Sequence, residues 1–388
     1  MSASLTAWLR LTLTPGLGPA AQRNLLAAFG LPEHVFSASH ASLVPVLGPE
    51  LARTVLAPPD LAAIDTALAW AEAPDHYILT LADHEYPRAL LDTPDPPTLL
   101  YVIGQPELLQ APGVAVVGAR SATPQGTANA QAFAQALADA ALGIVSGLAL
   151  GIDTAAHQGA LASAAGHTIA VVGTGADRVY PARNRDLAHR IAERGAIISE
   201  FPLGTPPLPH HFPRRNRILA GLARGVLVVE AAVGSGSLIT ARLAGEYGRE
   251  VFAIPGSIHS PLSRGCHRLI REGAKLVETA QDVLEELGLP APAPAPARTG
   301  GGTRRRTAPT AATTPALFDP ADASGSVKED EGDDDTARLL AAMGHDPVDI
   351  DTLAARSGLT LDALYAILLP LELDGRIGKL PGGRFQRL

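Results

Sequence analysis

The chain runs to 388 residues with a single cysteine, Cys266. One thiol excludes an internal disulfide framework and fits a reducing compartment, so the cytoplasm is the expected location. Lysine is almost missing, present only at 275, 328 and 379. The cations are therefore nearly all arginine, whose flat fork grips phosphate and whose face stacks on bases. Genome composition alone can produce the same bias. No apolar run approaches the roughly 20 residues that span a membrane. The opening MSASLTAWLRLTLTPG lacks a basic leader and a small-residue cleavage site, so no signal peptide is expected. HExxH, CxxC and GxxxxGK[ST] are all missing. No metal site, no cofactor and no triphosphate hydrolysis are expected.

Hydrophobic residues make up 46% of the chain, enough for a substantial core, and the length predicts two or three domains. The net charge of −8 is unevenly spread. Between Gly113 and Glu278 there are 16 Arg and Lys against 11 Asp and Glu, whereas the remainder holds 15 against 28. The middle of the chain is thus mildly basic.

Residues 1–80 read as short helices broken by Gly and Pro: Leu5 to Leu13, Ala20 to Phe29, Pro49 to Leu56 and Asp60 to Glu72. The turn Thr14-Pro15-Gly16-Leu17-Gly18-Pro19 has the form of a helix-hairpin-helix, or of an ordinary interhelical turn, which is the favoured reading. From 81 to 287 a Pro-rich connector and a strand at Thr98 to Ile103 lead into alternation. Strands are expected near 114–117, 143–146, 168–172, 196–199, 226–229, 250–254 and 275–277, with helices between them. That pattern predicts a doubly wound, mostly parallel α/β sheet of extended Rossmann-like form. Residues 288–335 turn to Pro-Ala repeats, Gly-Gly, three consecutive arginines and an acidic run, and read as a disordered linker. Residues 336–388 resume helical periodicity and close on a two-stranded wing, predicting a winged helix.

The ligand edge of such a sheet lies at the carboxyl ends of its strands. There the chain places IVSGLALGIDTAAH, HFPRRNRILAGL and VVEAAVGSGSLITARLA. Val117 to Ala122 and Gly173 to Arg178 both lack the full GxGxxG, so a dinucleotide is not expected. Arg120, on the first turn, faces a phosphate instead. Gly234-Ser235-Gly236-Ser237 opens a helix and can cradle a phosphate, with Ser237 as N-cap. Phe212 with Arg214, Arg215, Asn216 and Arg217 is the pattern of a base-stacking ring beside cations; Phe212 packed in a core is the alternative. Asp153 and His157, spaced i and i+4, lack further ligands and read as an N-cap and a packed histidine. Glu200 and Glu230 read as loop-fixing acceptors of backbone N–H bonds. No catalytic set emerges.

These motifs, with YPRALLDTPDPPTLLYVIG, VAVVGARSATPQG, TIAVVGTGADRVYPARNRDL and REVFAIPGSIHSPLSRGCHRLIREGAKLV, closely resemble the DprA (Smf) family of DNA-processing proteins. The likeness runs from about Tyr86 to Leu287, and the terminal modules resemble the extensions of many members, the N-terminal one being of SAM or helix-hairpin-helix type. The resemblance implies a binding protein, not an enzyme. It would hold single-stranded DNA during natural transformation, form a homodimer and load RecA, with SSB as a further partner. It implies a DNA pocket of Arg120, Arg183, Phe212, Arg215, Asn216, Arg217 and Gly234 to Ser237, and dimer contacts at His267, Ile270 and Leu276. The chain departs from the family pattern at Leu150 and Ala182, where many members carry cations; Arg183 adjoins the second gap. A phosphoribohydrolase of the LOG type, built on a similar scaffold, is the alternative, although its PGGxGT signature is missing. A sequence-specific regulator acting through the winged helix is a third reading.

Overall fold

The computed structural model describes residues 3–289, 331–344, 346–380 and 383–387. They fall into two compact units, one within Met1–Ala291 and one within Pro292–Leu388.

Six helices open the first unit: α1 (Ala3–Leu13), α2 (Pro19–Phe29), α3 (Pro32–Ser37), α4 (His40–Leu47), α5 (Pro49–Leu56) and α6 (Leu61–Trp70). Prolines at the first turns of α2, α3 and α5 cost no hydrogen bond there. Ser39 and Asp60 cap α4 and α6 by accepting from Ser42 and Ala63 N–H. Strand β1 (His76–Thr80) follows, inside the stretch expected to be purely helical, then α7 (Arg88–Leu91) and β2 (Leu99–Gly104). Trp8, Leu9, Ile64 and Ala67 of these helices share a buried cluster with Leu99 and Tyr101 of β2. The helical segment is therefore docked on the sheet.

The alternating region comprises β3 (Gly113–Val117), α8 (Pro124–Asp139), β4 (Gly143–Ser146), α9 (Ile152–Ala162), β5 (Thr168–Val171), α10 (Arg185–Arg194) and β6 (Ala196–Ser199). It continues with α11 (His211–Leu222), β7 (Gly225–Val228), α12 (Gly236–Glu246), β8 (Glu250–Ala253), α13 (Arg264–Arg271), β9 (Lys275–Leu276) and α14 (Ala280–Glu286). Nine strands form one sheet in the order β1-β2-β6-β5-β4-β3-β7-β8-β9. Only the β1–β2 and β2–β6 pairs are antiparallel. Strands β3 to β7 are buried on both faces, as short runs of Val, Ile and Ala must be when helices cover each side. Alternate residues of β3 show the two faces: Ala115 and Val117 join one apolar cluster, Val114 and Val116 the other. The strand order reverses between β3 and β7, which makes the gap beyond their carboxyl ends the topological switch point.

The second unit holds α15 (Glu331–Met343), β10 (Val348–Asp349), α16 (Ile350–Ser357), α17 (Leu361–Leu373), β11 (Ile377–Leu380) and β12 (Arg384–Arg387). Three helices pack over a β10-β12-β11 sheet around Leu339, Leu353, Leu364, Leu368 and Phe385, a winged helix with its own core. The expected linker runs to 335, but α15 already begins at Glu331. The rest of it, from 290 to 330, lies outside the described residues, as do Pro381 and Gly382 of the expected wing.

Candidate nucleic-acid cleft

The switch point opens into a cleft of about 660 Å³, lined on one side by the loop after β3 and on the other by the loop into α12. Arg120, Phe212, Arg215, Asn216 and the whole Gly234–Ser237 loop line it. Each wall is fixed by a specific contact. Thr123 caps α8 by accepting from Gly126 N–H at 2.9 Å, and it donates through its hydroxyl to Glu230 Oε1 at 2.5 Å. Glu230 Oε2 also accepts from Thr123 N–H at 2.9 Å, tying the loop after β3 to the end of β7. A Cβ at Gly126 would overlap that carboxylate, so the approach requires glycine. Glu230 thus fixes a loop by accepting a backbone N–H.

On the other wall Ser235, not Ser237, caps α12: its Oγ accepts from Ser237 N–H at 3.3 Å, with the two hydroxyls 2.6 Å apart. Asn216 Nδ2 donates to the Gly236 carbonyl at 3.2 Å and joins α11 to that loop. Phe212 stands one turn earlier on α11, against Gly173. The Arg120 guanidinium lies 5.2 Å from its ring centroid, within cation–π range. Tyr180 reaches the same place, 5.8 Å from Phe212 between centroids. Sequence reasoning passed over Tyr180, although it sits in the quoted VYPARN stretch.

Arg215 enters the cleft from beneath. It is 4% exposed, and its Nη1 donates to the Val171 carbonyl at the end of β5. Any side chain at Gly147 would collide with its guanidinium. Burial lowers its pKa to about 10, against the opposing charge of Asp153. Asp153, also buried, accepts from Gly147 and Ala149 N–H at 3.1 and 3.4 Å. It thus fixes the loop before α9; the N-cap position of that helix is Gly151. Burial raises the Asp153 pKa, while Arg215 works to lower it. His157 is fully buried, with Nδ1 2.7 Å from Thr168 Oγ1.

Two expected members point elsewhere. Arg217 is taken up by an ion pair with Glu200, a second with Asp95 at 3.1 Å, and a bond to the Asp95 carbonyl at 2.7 Å. Glu200 therefore receives guanidinium groups, from Arg214 as well at 3.1 Å, and not backbone N–H. Arg183 is exposed and outside the cleft lining. Leu150, where many family members carry a cation, is 38% exposed and likewise outside the cleft lining. Among the described residues no group of three or more His, Cys, Asp or Glu could hold a metal. No single described helix is long and apolar enough to cross a membrane.

A family model described as DNA recombination-mediator protein A matches residues 77–288, and one for the DprA winged helix domain matches 308–383. The chain belongs to the DprA/Smf family. The first match begins within β1, so this edge strand lies inside the DprA domain. Protein Smf of Escherichia coli (strain K12) is 40% identical over 322 residues, covering 83% of this chain and 80% of the relative. Protein Smf of Synechocystis is 35% identical over 404 residues, 98% of each chain. An X-ray structure of DNA processing protein A (DprA) from Streptococcus pneumoniae superposes with a TM-score of 0.66 at 41% identity, covering 74% of this chain and 99% of that one.

Proposed function

We propose that the cleft at the β3–β7 switch point binds single-stranded DNA without sequence preference, and that the protein passes the strand to a RecA-type recombinase during transformation. The observation that carries this reading is the meeting of Arg120, Phe212 and buried Arg215 in one cleft with the opening of α12. Cations and a helix N-terminus suit phosphates, and ring faces suit any base. A duplex hides its base faces in the stack, so it offers the cleft only phosphates. Membership of the DprA/Smf family supports the same reading. The cleft offers no nucleophile–base pair, which favours holding over hydrolysis.

Titration of labelled oligonucleotides at several salt concentrations tests the reading. Single strands should bind more tightly than duplex, with affinity falling as salt rises. Equal affinity for both, or salt-independent binding, would overturn it. The transfer step is tested separately, by RecA-dependent strand exchange on SSB-coated DNA. A chain that binds strands yet leaves exchange unchanged would retain the first half of the reading and lose the second.

A further inference from the structure

The cleft carries two unlike surfaces, one polar and one aromatic, and α11 fixes their separation. The polar surface is the opening of α12, an 11-residue helix capped by Ser235. Buried Arg215 lines the same cleft, and its Nε has no hydrogen-bond partner among the described residues. Among those residues the guanidinium charge is countered only from beneath, by Asp153, and therefore favours an anion on the cleft side. The aromatic surface is Phe212 with Tyr180, their planes inclined at 43°. Tyr180 is 46% exposed, a large area for a ring turned into a cleft.

Phe212 and Asn216 are i and i+4 on α11 and share one face, about 6 Å apart along the axis. Asn216 itself holds the Gly236 carbonyl. A base on the rings and a phosphate at α12 would therefore stand about one helical turn apart, the reach of a single nucleotide.

From this juxtaposition we infer that the cleft is a one-nucleotide seat. The phosphate sits at the α12 opening beside Arg215, and the base lies against Phe212 and Tyr180. A free nucleoside 5′-monophosphate is then a ligand in its own right and competes with a bound strand. The inference rests on the single-strand reading of the same cleft. It adds that one nucleotide, without neighbours, contains both elements the site recognises.

The test uses the full chain with labelled oligo-dT and, at constant ionic strength, dTMP, thymidine or inorganic phosphate as competitor. Base stacking makes dTMP displace the strand at a concentration at least roughly 5-fold lower than phosphate does. Thymidine, lacking the anion, should also compete poorly. Tyr180→Ala should move dTMP toward the behaviour of phosphate, and Tyr180→Phe should keep it at wild type. Gly236→Asp offers a second variant, because a Cβ there meets nothing within 4 Å. An acid near a helix N-terminus is also favourable, so the variant keeps its fold while repelling phosphate. It should lose dTMP and the strand together.

If dTMP competes no better than phosphate, or binds Gly236→Asp as well as wild type, the one-nucleotide seat is wrong while strand binding stands. If oligo-dT does not bind at all, the single-strand reading falls. Calorimetric titration with dTMP alone then still decides the seat.

Discussion

Arg214, Arg215 and Arg217 lie within one turn of α11, yet the helix sends them to three destinations. Arg214 reaches Glu200 and lies 5.0 Å from the Phe201 ring, Arg215 enters the cleft, and Arg217 joins Asp95 and Glu200. Only Arg215 among them is placed to meet a phosphate in the cleft. Replacing Arg217 by Ala leaves the Glu200 side chain, 3% exposed, with Arg214 as its one remaining ion-pair partner among the described residues. The expected loss is about 3 kcal/mol of stability, read from the urea midpoint, with strand affinity of the folded protein near wild type. Unchanged stability with weaker binding would return Arg217 to the DNA site. Below the cleft, Thr168 Oγ1 donates to the Ile144 carbonyl at 2.6 Å, so the His157 Nδ1–H donates to Thr168. Burial, helped by Arg215, pushes the His157 pKa down to about 3 from 6.5. The unfolded chain takes a proton near 6.5 that the folded protein refuses until about 3. This histidine therefore costs no stability above pH 6.5, and its cost grows as pH falls through that value. Each pH unit in the window removes about 1.4 kcal/mol. The raised pKa of Asp153 acts in the opposite sense, so the comparison is with His157→Asn, which keeps Asp153. The variant should lose less stability than wild type between pH 7 and 5 in urea titrations. Parallel curves would show that His157 is not the cause.

Helix α8 and its cap show how an element positions a functional side chain. Thr123 holds both the first turn of α8 and Glu230, and Arg120 sits at the start of the loop it ends. Thr123→Val removes the cap and the hydroxyl donation to Glu230, an expected cost of about 2 kcal/mol. It should also weaken strand binding several-fold by freeing the loop, and Thr123→Ser should restore both. Full binding in the Val variant would mean that Arg120 needs no anchored loop. Elements of this kind were the legible ones. Buried β-branched runs mark β3 to β7, and glycines close β3, β4 and β5. Strand β1 was missed because HYILT follows a run of helices and pairs only with β2, through partners 19 to 27 residues away. Helices α3 and α4 were missed because the first is only 6 residues long and Pro45 interrupts the second. The choice between Ser235 and Ser237 as cap was beyond sequence, since both hydroxyls flank the same glycine. The destinations of Arg217 and Tyr180 were beyond it too, because they are set by Asp95, Glu200 and Phe212, which only tertiary packing brings near.

At the scale of the whole molecule, the two units divide their surfaces differently. In the winged helix, α17 contains neither Lys nor Arg and exposes Leu361, Tyr365, Leu369 and Leu373. A helix without cations is poorly suited to a DNA groove, in keeping with the proposal that the strand lies in the cleft of the first unit. In that unit the nine-stranded sheet ends at β9, a two-residue edge strand. Of the three residues expected at a dimer contact, Leu276 on this strand is 42% exposed. Ile270 is half-buried and already packs against the core, and His267 holds the Gly256 carbonyl at 3.0 Å. The sharper test of a homodimer is thus Leu276→Arg, because Ile270→Glu would also disturb the core. A two-fold contact uses the same patch on both copies, so Leu276→Arg would bury an unpaired arginine in it twice. The variant should run as a monomer by light scattering with a melting temperature close to that of its own first unit. Strand affinity should fall more for long oligonucleotides than for short ones, because only a long strand can span two clefts and gain from avidity. A variant that stays dimeric places the contact elsewhere on the surface. A monomer that still prefers long strands would show that one cleft with its surroundings suffices.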